Sequence, residues 1–215
     1  MMPLILHWVN VVILAKSHNP SILNPDFLRT NDIVPPDWEA KEVLTTPAFS
    51  TVRYPLGVVF LLDQSRLEVK KECDISFQDN YDIQNFAARY VKVLPHVSYT
   101  SLGLNWHVSV EIDKPEWFII ERFVRPESWK ESGAELMQSS VKLSFQIENG
   151  FCNVNFSPGK AKMPERKYYP AVIINVNFHY DGPFTADQID VILKEWKNTE
   201  EYLKQLLPKL LGEAY

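Results

Sequence analysis

Val141-Lys142-Leu143-Ser144-Phe145-Gln146-Ile147-Glu148-Asn149-Gly150 is the stretch that decides the fold. Val141, Leu143, Phe145 and Ile147 alternate with Lys142, Ser144, Gln146 and Glu148, the period of two that gives a strand one apolar and one polar face. Asn149-Gly150 is a preferred pair for a two-residue hairpin turn, because both residues tolerate positive φ. With those two as the loop, Glu148 faces Phe151, Ile147 faces Cys152, Phe145 faces Val154 and Leu143 faces Phe156. Cys152, Val154 and Phe156 then join the apolar face and Phe151, Asn153 and Asn155 the polar one, so both faces stay consistent and the register is specified.

The same alternation extends outward along the chain. Leu102, Leu104, Trp106, Val108, Val110 and Ile112 oppose Gly103, Asn105, His107, Ser109 and Glu111; Val172, Ile174, Val176, Phe178 and Tyr180 oppose Asn175, Asn177 and His179, with Asp181-Gly182-Pro183 expected to end that strand. Residues 49–54, 57–62 and 66–71 read as a meander, and the apolar run from Leu4 to Leu14 as a buried strand. That run lacks a basic leader and, at 11 residues, falls short of the ~20 that cross a bilayer. Asn19-Pro20, Asn24-Pro25 and Val34-Pro35-Pro36 mark a wrapping segment.

Helical periodicity appears twice in strength. Ile83, Phe86, Ala87, Tyr90, Val91 and Leu94 recur at helical offsets, with Asp82 as the expected cap and Pro95 as the stop. Thr185 with Gln188 forms a capping box ahead of Ile189, Ile192, Leu193, Trp196, Leu203, Leu206, Leu207 and Leu210, and Pro208 is expected to kink or end that helix near Lys204. A shorter helix is read near Pro115–Phe123. The fold expected is α+β: one large antiparallel sheet with amphipathic helices on one face. A single domain spans residues 1–215, with pseudo-halves 36–95 and 97–211, each a meander handing off to a helix, after an N-terminal strand and Asn/Pro-rich segment over 1–35.

Composition narrows the function. Of 215 residues, 22 are Lys or Arg and 27 Asp or Glu, a net charge of −5, which argues against a surface-wide phosphate-binding footprint and against nucleic acid as a direct partner. The linker around Lys160, Lys162, Arg166 and Lys167 is the local exception, read as a solvated basic loop with nucleic-acid contact as the rival reading. Two cysteines, Cys73 and Cys152, fit a reducing compartment, hence the cytoplasm. No phosphate loop, dinucleotide fingerprint, zinc-protease motif or nucleophile elbow occurs, and the five histidines show no metal-ligand spacing, so no cofactor and no metal are expected.

The strands' second faces carry what composition does not explain. Asn105, His107 and Ser109, then Ser144 and Gln146, then Asn153 and Asn155, then Asn175, Asn177 and His179 make a face of uncharged polar residues, although asparagine is depleted in strands. Three readings stand: an ordinary wet face with amide ladders, a binding surface, or a catalytic site centred on His107 and His179, whose rings could approach each other if their strands are neighbours, though no carboxylate or nucleophile obviously joins them. The binding surface expected comprises Asn105, His107, Phe151, Asn153, Asn155, Asn175, Asn177 and His179, with Phe151 as aromatic anchor.

Arg89-Tyr90-Val91, Leu102-Gly103-Leu104-Asn105-Trp106, Ile173 to Phe178 and Asp181-Gly182-Pro183 with the long closing helix give a layout that resembles a sporadically distributed bacterial family of uncharacterised proteins. The resemblance covers residues 45–211 by layout more than identity, and it implies an accessory role in mobile or antiviral-defence operons. The expectation is a non-enzymatic interaction or regulatory subunit whose partner is another protein; the alternative is a small hydrolase or ligand-binding protein using His107 and His179.

Overall fold

The computed structural model describes residues 3–76, 82–124, 133–162 and 168–212. The strands are β1 (Ile5–Ala15), β2 (Glu42–Thr45), β3 (Phe49–Arg53), β4 (Val58–Asp63), β5 (Arg66–Ser76), β6 (Tyr99–Glu111), β7 (Val141–Ile147), β8 (Gly150–Ala161) and β9 (Tyr169–Phe184). They form one nine-stranded antiparallel sheet in the order β2-β3-β4-β5-β1-β6-β9-β8-β7. The apolar N-terminal run therefore becomes the central strand. β1 pairs with β5 on one side and β6 on the other, joining the β2–β5 meander to the remaining four strands. The fold is α+β, as the alternation implies.

The helices are α1 (Pro25–Thr30), α2 (Ile83–Val93), α3 (Pro115–Phe123), α4 (Ala186–Lys194) and α5 (Trp196–Leu211). Each contributes to a single apolar cluster: Leu28, Tyr90, Ile119, Leu193 and Leu203 join Val9, Val11, Ile13, Leu104, Trp106, Val154, Val176 and Phe178 of the sheet. All described helices thus lie on one face of the sheet. Asn19 and Asn24, read from sequence as turn formers, prove to be caps: their side chains accept from Ser21 N (3.2 Å) and Phe27 N (2.9 Å).

Four local expectations are corrected. The hairpin loop is Glu148-Asn149, one residue earlier than expected, with Asn149 at φ 59°. Ile147 pairs Gly150, Phe145 pairs Cys152 and Leu143 pairs Val154; the partner moves by two residues, so each side chain keeps its face. The reason is tertiary: a Cβ on Gly150 would lie 2.2 Å from the His179 carbonyl oxygen, so glycine is needed within β8, against β9, rather than in the turn. Asp82 precedes α2 at φ 50° and its side chain caps no backbone amide. Pro208 does not end α5, which runs to Leu211; the interruption falls at Glu195, and Trp196 packs on Trp106 with ring centroids 4.7 Å apart. β9 passes through Asp181-Gly182-Pro183 to Phe184, which pairs with Tyr99.

Candidate recognition face

The face away from the helices is built from residues of alternate parity, and the strand register sorts them into rows. Asn10 stands opposite Asn105, Asn105 opposite Asn177, Asn177 opposite Asn153 and Asn153 opposite Ser144. These side chains are hydrogen-bonded into one directional chain. Ser144 Oγ donates to Asn153 Oδ1 (2.7 Å), Asn153 Nδ2 to Asn177 Oδ1 (3.4 Å) and Asn177 Nδ2 to Asn105 Oδ1 (2.8 Å). Asn105 Nδ2 donates to Asn10 Oδ1 (2.7 Å), and Asn10 Nδ2 to Glu68 Oε1 (2.8 Å). Glu68 as a carboxylate can only accept, so it requires Asn10 to donate, leaves the Asn10 oxygen to accept, and so fixes the sense of every amide back to Ser144. Bonds aligned head to tail and ending on a charge polarise one another.

A second row runs Trp8, His107, Asn175, Asn155, Lys142. His107 Nδ1 donates to Asn175 Oδ1 at 2.6 Å, leaving both amide hydrogens of Asn175 unspent by that bond. Trp8 stacks on His107 (centroids 5.1 Å, planes 6° apart), and the Lys70 ammonium lies 5.3 Å from the centre of the Trp8 ring. Burial holds His107 below the usual imidazole range, helped by His7 and Lys70 and opposed by the bond to Asn175. A bulge in β1 between Leu6 and Trp8 brings His7 to the same face, where its Nε2 is 2.8 Å from Ser109 Oγ and its ring is 5.5 Å from His107. Ser109 Oγ in turn lies 3.1 Å from the Tyr169 hydroxyl.

Between the two rows lies a cleft of about 380 Å3, lined by Asn105, Asn177 and Asn153 on one side and Asn175, Asn155 and Lys142 on the other, with Trp8 at one end. Phe151, 43% exposed, sits one row further out, opposite Gln146 and His179.

The structure thus gathers Asn105, Asn153, Asn155, Asn175 and Asn177 around one cleft, with His107, bonded to Asn175, and Phe151 and His179 beside it. It does not bring His107 and His179 together: His107 faces Asn175 while His179 faces Gly103, four residues along the same strands, or roughly 13 Å. His179 instead pairs with Asp181 at 2.9 Å on the exposed rim. The sequence reading missed His7, Trp8, Asn10 and Glu68. Asn10 was legible as the odd polar residue in an apolar strand, on the parity of Trp8, but the bulge that brings His7 to this face leaves no mark in the sequence.

Of the basic loop, Lys160 belongs to β8 and Lys162 has its ammonium 6.0 Å from the centre of the Tyr168 ring, while Arg166 and Lys167 lie outside the described residues. Cys152 is buried and burial pushes its thiol up to about 12, which removes it as a nucleophile at neutral pH. Among the described residues no group of three His, Cys, Asp or Glu side chains is arranged to hold a metal ion, and no helix is long and apolar enough to cross a membrane. No protein-family model, curated protein or solved structure matches the chain.

Proposed function

We propose that the protein is a non-enzymatic recognition subunit that holds an uncharged, hydrogen-bonding partner on its open sheet face. The observation that carries this reading is the relay from Ser144 to Glu68 on a face that none of the described helices covers. Side chains held in one orientation on a stiff sheet form a preorganised surface, and preorganisation lowers the ordering cost of binding. Neutral amides are also cheaper to desolvate than lysines and glutamates. Phe151 adds an exposed aromatic beside them, the type of residue that dominates binding energy when it enters a partner's pocket.

The rival catalytic reading needs a base with an accessible nucleophile; the hydroxyl nearest these imidazoles, Ser109 Oγ at 2.8 Å from His7 Nε2, is fully buried and shared with the Tyr169 hydroxyl, and His107 itself is flanked by Asn175, Trp8 and His7. Capture of the partner from source cells by the immobilised protein, repeated with Phe151→Ala, tests the proposal. Phe151→Ala is expected to weaken retention by ~2 kcal/mol or more at an unchanged thermal midpoint. Equal retention by the variant overturns the proposal, as does turnover of any substrate that disappears in His107→Ala.

A further inference from the structure

We propose that the cleft between the two amide rows is a binding site for a neutral saccharide of about two linked rings, an assignment that rests on the open face being the recognition surface. The cleft's volume of about 380 Å3 falls within the range of small-ligand sites, roughly 300–1,000 Å3, and most of its lining residues carry side-chain amides. Five of its side chains are asparagines, and the one charged group among them is the ammonium of Lys142. Phosphate or carboxylate ligands are met by forks of Arg and clusters of Lys. An apolar ligand would leave the amides unpaired. A ligand rich in hydroxyls satisfies them, because each hydroxyl donates and accepts from a single atom.

The relay decides what remains for such a ligand. Along the first row Asn105, Asn177 and Asn153 each spend one amide hydrogen and one acceptance on the relay, so each keeps one donor and one acceptor site in a fixed orientation. In the second row Asn175 accepts from His107 and keeps both hydrogens, and Asn155 makes no side-chain hydrogen bond among the described residues. The cleft therefore presents pairs of neighbouring donors and acceptors, the pattern that adjacent ring hydroxyls complement.

Spacing separates a saccharide from a peptide. The cleft runs across β6, β9 and β8, so its amides repeat at the strand separation of roughly 4.8 Å, whereas an extended peptide advances roughly 3.3 Å per residue and slips out of step. Linked six-membered sugar rings advance by close to one strand separation each. Trp8 closes one end of the cleft and sets its length; its two ring faces are taken by His107 and Lys70.

The test follows the side-chain amide resonances of the isotopically labelled protein during titration with four neutral disaccharides: cellobiose, maltose, lactose and N,N′-diacetylchitobiose. Adenosine and a sulfated heparin disaccharide serve as controls. Saturable shifts of the Asn153, Asn155, Asn175 and Asn177 amides are expected with at least one neutral sugar at millimolar concentration. Asn155→Ala is expected to weaken that binding by about tenfold, or roughly 1.4 kcal/mol, while leaving the thermal midpoint in place because no described residue depends on the Asn155 amide for a hydrogen bond. No saturable shift with any of the four, shifts with adenosine or the heparin disaccharide alone, or undiminished binding by Asn155→Ala each overturn the assignment. Capture of a partner that still depends on Phe151 would then show that the recognition face survives and only the saccharide fails; loss of both removes the face as well.

Discussion

The open face of the sheet has two halves with opposite chemistry. Over β2–β5 it carries Arg53, which reaches Glu72 at 2.9 Å and Glu42 at 3.5 Å, and Lys70, 3.6 Å from Glu72. Over β1, β6, β9, β8 and β7 it carries the asparagine relay and the Trp8–His107 stack. Long charged side chains find partners across several positions and are screened by salt, so the first half needs no exact register. Asparagine is short, so the amide-to-amide bonds of the second half exist only because β1, β6, β9 and β8 place Asn10, Asn105, Asn177 and Asn153 directly opposite one another. One half is built to stay wet and the other to hold a fixed pattern, and the two join at Glu68, the carboxylate that terminates the relay.

The comparison breaks most severely at Gly150. A Cβ there would collide with the His179 carbonyl, so Gly150→Ala is expected to force β8 from β9 and cost about 3 kcal/mol in urea unfolding, with the hydrogen bond from Asn153 to Asn177 the first to break. Next comes the junction. Asn10→Leu leaves the Glu68 carboxylate and the Asn105 amide without their shared partner at a buried position, and is expected to cost about 2 kcal/mol by the same measurement.

Acid should distinguish the halves more gently. Burial keeps His107 and His18 below the ordinary imidazole value in the folded chain. Folding therefore opposes their protonation: the stability is fully present above the unfolded value of about 6.5 and is lost as pH falls through it toward the lowered folded values. The His107→Gln variant should show a shallower loss between neutral and mildly acidic pH; an unchanged slope would remove His107 as a cause. The smallest effect belongs to the ionic half: Arg53→Ala is expected to change stability by no more than about 0.5 kcal/mol, with a difference that shrinks further as salt is added.

Sequence by itself determined the elements and their faces. Period two in residues 102–112, 141–147 and 172–180, and helical offsets in 83–94 and 189–210, are local properties, and a local pattern can be read without knowing what it packs against. The same parity marked Asn105, His107, Asn153, Asn155, Asn175 and Asn177 as one face. Tertiary structure alone decided which of these residues meet. Asn10 and Asn105 are 95 positions apart in the chain and become neighbours only because β1 inserts between β5 and β6, a choice set by burying an apolar strand on both edges at the centre of the sheet. The separation of His107 from His179, the bulge that brings in His7 and the hairpin's shift by one residue likewise come from the register of long-range strand pairs. Register is fixed by backbone bonding and close packing between segments distant in sequence, as at Gly150 against His179, and no single segment carries that information.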